Sequence, residues 1–170
     1  MAQKYLTPDE LVDYVTRVAG QPKLWKHLVE HGERRGYKEL ASTPTFNCWV
    51  ITWNTGHDTG LHDHDGSAGG VICVHGQVRE SRLRSGYCES NEGVIKEHGL
   101  IYREGQTFNF GPWDIHRVRH HGESTAITIH AYSPPLTHMG SYGFIAGEFK
   151  RQPLKDEELR PLEVAIKDAD

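Results

Sequence analysis

The chain has 170 residues, a length that suits a single domain able to bury a sizeable core. Its formal net charge is −4 with both signs interspersed, which leaves no basic stripe to bind nucleic acid or a membrane surface. Charged residues at 25% and hydrophobic ones at 36% match a globular chain rather than a disordered one, and no apolar run is long enough to span a bilayer.

The first ten residues, MAQKYLTPDE, lack the apolar stretch of a secretory leader, so a cytoplasmic location is expected. Thr7, Pro8 and Glu10 form a capping box that predicts a helix start, and Leu11, Val12, Val15 and Val18 give it an apolar stripe ended by Gly20. A second helix is expected from Pro22, burying Leu24, Trp25, Leu28 and Val29. From Tyr37 the period changes. The run from Phe46 to Trp53 is rich in aromatic and β-branched residues and predicts a strand. Further strands are expected at 69–74, 78–83, 99–102, 106–110, 116–120, 126–132 and 143–149, separated by turn residues. Short strands at this spacing predict an all-β barrel or jelly roll. The expected organisation is one domain, with N-terminal helices over 1–36, the barrel over 37–150 and a polar tail over 151–170. Three cysteines, Cys48, Cys73 and Cys88, are an odd count without paired spacing, which argues against a disulfide framework or a structural zinc site. Cys48 and Cys73 lie in apolar runs and are expected inside; Cys88 lies in a turn-like stretch and is expected outside.

The chemistry concentrates between Gly56 and Gly76. His62 and His64 are two residues apart on a strand-like segment, so both imidazoles point to one face. Convergent imidazoles suit a divalent transition metal, and His116 supplies a third at the start of another predicted strand. Thr128, His130 and Tyr132 also alternate along one face of a strand, a pattern that can string hydroxyl, imidazole and phenol into a hydrogen-bonded chain. Trp49, Ile51 and Trp53 share a face as well. They wall a pocket if that face points inward; Cys48, Val50 and Thr52 do so if it points outward. The remaining histidines read as surface residues.

The spacing Gly56, five residues, His62-Asp63-His64, four residues, Gly69, six residues, Gly76 resembles the first motif of the cupin superfamily, and Gly105 to His116 resembles its second. Cupins usually carry Glu where this chain has Gly69. Together with His116-Arg117-Val118 and Thr128-Ile129-His130-Ala131-Tyr132-Ser133-Pro134-Pro135, that departure makes the chain similar to the thiol dioxygenases, typified by cysteine dioxygenase, and in particular to bacterial members with glycine at this position. The resemblance spans about residues 37–142. It implies a cupin jelly roll with N-terminal helices packed against it.

The same resemblance implies an Fe(2+) cofactor on His62, His64 and His116, a relay of Thr128, His130 and Tyr132, and Ile51 and Trp53 turned into the pocket. Asp63 would face away from the metal and orient a neighbouring group. Three neutral imidazoles leave the charge of a ferrous ion uncompensated, which suits a substrate arriving as a thiolate. Gly69 offers no sulfur for a cross-link to tyrosine and leaves space beside the histidines. The partners implied are a small thiol and dioxygen, with cysteine leading and 3-mercaptopropionate or mercaptosuccinate next, acting on a monomer or weak homo-oligomer. The family's substrate arginine lies in a Tyr-x-Arg-x-Leu context. Setting Leu40 on that leucine brings Lys38 to the arginine and Gly36 to the tyrosine, with Arg34 or Arg35 as substitutes if the register slips. A non-catalytic, metal-binding cupin acting as a small-ligand sensor is the alternative from another class, and a cupin isomerase or carbon-cleaving dioxygenase a third.

Overall fold

The computed structural model describes residues 4–30, 32, 35–83 and 98–154. Readings for His31, Arg34, Cys88, the His98 side chain and the tail from Lys155 onward lie outside the described residues.

Helix α1, Pro8–Ala19, opens on the expected capping box: the Glu10 N–H donates to Thr7 Oγ1, and the Thr7 N–H donates to the Glu10 carboxylate at 2.8 Å. The second helix is replaced by two single 3₁₀ turns, Pro22–Leu24 and Lys26–Leu28. The chain leaves helical geometry at Trp25, with φ −129°, so one aromatic side chain is buried in place of a stripe. Leu24 stays exposed.

Eleven strands follow among the described residues: β1 Gly36–Ser42, β2 Asn47–Trp53, β3 Leu61–Asp63, β4 Ala68–His75, β5 Gln77–Arg82 and β6 His98–Arg103, then β7 Thr107–Phe110, β8 His116–His121, β9 Ala126–Ser133, β10 Met139–Ile145 and β11 Glu148–Leu154. They form two antiparallel sheets, five strands in the order β1-β2-β9-β4-β7 and six in the order β11-β10-β3-β8-β5-β6. This is the all-β jelly roll that the strand pattern predicts. The strand expected over 143–149 is instead a hairpin. Ala146 and Gly147 take φ of +51° and +82°, and Ile145 pairs with Glu148, which makes a two-residue turn in the middle of the predicted run.

Alternation divides the core in two. One face of the five-stranded sheet sends Cys48, Val50, Ile72, Ile129 and Ala131 outward against Leu11, Val15 and Val18 of α1. The other face sends Trp53, Val71, Phe108, Phe110 and Tyr132 inward, where they meet Val78 and Val118 from the second sheet. Gly70 lies on the helix side, where an added Cβ would stand 2.6 Å from the α1 backbone, so the glycine sets how closely the helix approaches. The helix therefore backs the sheet that carries the inner face. The Ser133–Pro134 bond is cis.

Candidate metal centre and substrate cavity

Strand β3 lies between β10 and β8, and its His62 pairs directly with His116 of β8. His64 follows one step beyond the strand. The three side chains are 4%, 2% and 1% exposed for His62, His64 and His116, and one ring nitrogen from each falls within 4.8 Å of the others. Burial holds all three imidazoles neutral: it pushes His62 down to about 4 and the other two well below their ordinary range.

Hydrogen bonds fix which nitrogen is free. His62 Nδ1 lies 3.1 Å from the Gly60 carbonyl, which only accepts, so this nitrogen carries the proton and donates. His116 Nδ1 likewise lies 3.3 Å from Glu80 Oε1. Both rings are left with a bare Nε2, and His116 Nε2 is buried without a partner in the protein, as is His64 Nδ1. Three neutral, crowded nitrogen donors with unspent lone pairs fit a divalent transition ion.

Each histidine-bearing strand is held from behind. Burial raises the Glu80 carboxyl and Arg82 Nε, which donates to it, works the other way; the net shift is upward. Arg117 donates from Nε to both oxygens of Asp58, at 2.8 and 2.9 Å, and Asp58 in turn accepts from the Gly60 N–H, which pins the turn leading into His62. Asp63 points away from the histidines and accepts from Gly140 N, Tyr142 Oη, and Nε and Nη2 of Arg151. Burial pushes its carboxyl up, but the Arg151 and Tyr142 donors outweigh that and hold it well below the usual range. The expectation that Asp63 faces away from the histidines and orients a neighbouring group agrees with this geometry.

The relay residues line up on β9. Trp53 Nε1 donates to Thr128 Oγ1 at 2.8 Å, Thr128 Oγ1 is 2.8 Å from His130 Nε2, and His130 Nδ1 is 3.1 Å from Tyr132 Oη. An indole N–H can only donate, so Thr128 Oγ1 is the acceptor at this end of the chain. The Thr128 hydroxyl keeps its proton and a second lone pair, so it can pair with either neutral tautomer of His130. With the His130 proton on Nδ1 the imidazole donates to Tyr132 and leaves the phenol proton free to point out of the chain; with it on Nε2 the phenol donates to the ring. Burial pushes His130 down to about 3 and Tyr132 well above its ordinary value, so both are neutral at pH 7.

A cavity of about 410 Å³ opens onto these groups. Its walls include the three histidines, His130, Tyr132, Trp49, Ile51, Trp53, Tyr37 and Arg35. The Trp49, Ile51 and Trp53 face is thus the inner one. Arg35 lies over the Trp53 ring, 4.9 Å from its centroid, with Nη1 buried and unpaired. Burial lowers it to about 10, so it stays cationic at neutral pH. Lys38, the first candidate for this position, is on the outside, its Nζ paired with Glu30 Oε1 at 2.8 Å. The lysine is therefore corrected to a surface residue, and Arg35 is the cation in the cavity wall.

A second correction concerns Gly69. The expected space beside the histidines is filled: a Cβ at position 69 would stand 2.0 Å from Cζ of Phe110. That ring stacks on His64 at 4.3 Å and 18° and rests on His116 at 4.5 Å. Sequence reasoning missed Glu80, Phe110, Arg151 and Tyr37. For Glu80 a signal existed, since it stands two residues from the core Val78 on the same strand face.

The model of the family described as cysteine dioxygenase type I matches residues 3–143. The chain is 33% identical over 140 residues to cysteine dioxygenase type 1 of Bos taurus, covering 79% of this chain and 69% of that protein. Against cysteine dioxygenase type 1 of Danio rerio the identity is 25% over 139 residues, covering 75% and 66%. The chain thus spans about two-thirds of the length of these relatives. Among solved structures it is similar in fold to the cupin domain of Cnp3 from Schizosaccharomyces pombe, with a TM-score of 0.50 at 8% identity over 62% of this chain and 68% of that one.

Proposed function

The chain belongs to the cysteine dioxygenase type I family, and from that premise we propose that it oxidises a small thiol carboxylate to its sulfinate, with one iron ion on His62, His64 and His116. The observation that carries the reading is the convergence, in one cavity, of three neutral imidazoles, the Arg35 guanidinium and a hydrogen-bonded relay ending in Tyr132. The reaction balances without a reductant: a thiolate, RS⁻, and one dioxygen give RSO₂⁻, with both oxygens transferred to sulfur. The iron, when bound, supplies the redox chemistry and holds the two reactants side by side.

The protein's own groups do the rest. The Arg35 fork binds the substrate carboxylate and fixes how far the sulfur reaches into the cavity. Trp49 offers a second donor, since its buried Nε1 has no acceptor in the protein. Trp53, Thr128 and His130 hold the Tyr132 hydroxyl in place, and the Nδ1–H tautomer of His130 turns the phenol proton toward the reacting atoms. The apolar wall of Ile51, Val118 and Leu136 excludes water from around them. The relay is also what argues against a non-catalytic sensor, which has no use for a phenol held by a buried imidazole.

Cysteine is the leading substrate. A specific observation favours a second reading, an amine-free thiol carboxylate such as 3-mercaptopropionate or mercaptosuccinate: among the described residues the cavity wall holds a cation but no carboxylate to meet an ammonium group. The test is metal analysis of the purified protein, followed by dioxygen uptake and sulfinate detection by mass over a panel of thiols with and without an amine. Iron near one per chain and sulfinate from a thiol carboxylate are the expected results. Bound iron without dioxygen uptake on any thiol would sink the enzymatic reading.

A further inference from the structure

Gly69 and Phe110 face each other across β4 and β7, and Gly69 pairs on its other side with Tyr132 of β9. Adjacent glycines on this strand serve opposite faces, Gly70 the helix and Gly69 the site. A side chain at position 69 would project at the Phe110 ring, where Cζ, Cε2 and Cε1 lie 2.0, 2.4 and 2.6 Å from the ideal Cβ. No rotamer at position 69 relieves contacts this close, because it is the Cβ itself that collides, so the Phe110 ring has to shift. The same ring is in face contact with His64 and edges onto His116, so the volume it fills adjoins two of the three imidazoles.

We propose that Phe110 keeps this centre a three-imidazole site: its ring occupies the place from which a side chain at position 69 would reach the metal, and it braces His64 and His116 in return. The inference rests on the reading of the three histidines as a metal site. A carboxylate entering here would bring a negative charge and a fourth donor, and would compete with an anionic thiolate for the same positive centre. The apolar ring does the opposite, adding packing without charge. Glycine at 69 and phenylalanine at 110 are thus one device in two strands, and neither half works alone. Phe110 is a positioning residue, since it does not line the cavity.

The test is a double-mutant cycle with two readouts, melting temperature of the apoprotein and Co²⁺ affinity by titration in the visible. Gly69→Ala should lower the melting temperature by roughly 5 °C in the native background. In the Phe110→Ala background the same change should cost almost nothing, because the obstacle is gone. For the metal, Phe110→Ala should weaken Co²⁺ binding about ten-fold by loosening the two rings. Adding Gly69→Glu to Phe110→Ala should then tighten binding at least ten-fold relative to Phe110→Ala, whereas Gly69→Glu alone should not tighten it. The proposal is overturned if Gly69→Ala costs the same in both backgrounds, if Gly69→Glu alone gains affinity, or if the Gly69→Glu, Phe110→Ala pair binds no better than Phe110→Ala. Absence of Co²⁺ binding by the native protein would overturn the metal reading itself, and the apoprotein cycle would still report whether the two positions are coupled.

Discussion

Arg35 and Lys38 are three residues apart, so alternation sends them to opposite faces, and a bulge explains why a count from Leu40 lands on the wrong one. Between Glu39 and Ala41 the β1–β2 register shifts, so Leu40 is the extra residue of a bulge. Counting back by twos from Leu40 leads to Lys38 and Gly36 on the outer face; the inner face carries Tyr37 and Arg35. Arg35→Met should raise KM for a thiol carboxylate about ten- to a hundred-fold with metal content intact, since a charge-assisted contact is worth about 1.5–3 kcal/mol. Lys38→Ala should leave steady-state kinetics within about two-fold. A large KM defect in Lys38→Ala with none in Arg35→Met would return the clamp to the lysine. The relay makes a separate prediction. Tyr132→Phe removes the terminal hydroxyl and should lower kcat by about a hundred-fold at unchanged metal content, the scale of a single positioned proton donor. Full kcat in Tyr132→Phe would reduce the tyrosine to a wall of the cavity.

At the scale of elements, the β10–β11 hairpin is the part whose role is least visible locally. Its Arg151 reaches back to Asp63, the residue between two candidate ligands, and to Asp65 beyond them. The hairpin thus clamps the outer side of the segment whose inner side carries His62 and His64. Arg151→Met should cost about 1–2 kcal/mol, the low end for charge-assisted bonds because the arginine is about a third exposed, and lower the melting temperature by a few degrees. It should also weaken metal binding, which a purely peripheral hairpin would leave untouched; calorimetric titration decides between them. The sequence makes His62-Asp63-His64, the α1 capping box and the Thr128-His130-Tyr132 alternation legible because each is a local period. The Ala146-Gly147 turn interrupts a run whose hydrophobic pattern continues through it, so a hairpin reads as one strand. Glu80 behind His116, Arg151 behind Asp63 and Phe110 over Gly69 each need a partner on another strand. Such pairings are set by topology, which no window of sequence contains.

At the scale of the whole molecule, the site and the stability of the fold are linked. His130 is neutral in the core at about 3, while an unfolded chain protonates histidine near pH 6.5. Between those values the unfolded state holds the extra proton, so stability is lost as pH falls from about 6.5 toward 3. Replacing His130 by Gln removes that titration and should flatten the stability–pH curve in this window by up to about 1.4 kcal/mol per pH unit. An unchanged slope would mean that His130 is protonated in the native protein. The metal adds a second linkage. Three imidazoles packed in the core with ring centroids 4.6 to 5.0 Å apart are assembled only in the folded chain. An ion bound there therefore stabilises the native state by mass action, about 4 kcal/mol at a thousand times its Kd. For a chain of this size that is a rise of roughly 8–16 °C in melting temperature, reversed by a chelator. His116→Ala supplies the control. It removes one donor and leaves Glu80 without its imidazole, so its melting temperature should scarcely respond to added Fe²⁺ or Co²⁺. If the native protein and His116→Ala shift equally, the ion is binding elsewhere and the third ligand is misassigned.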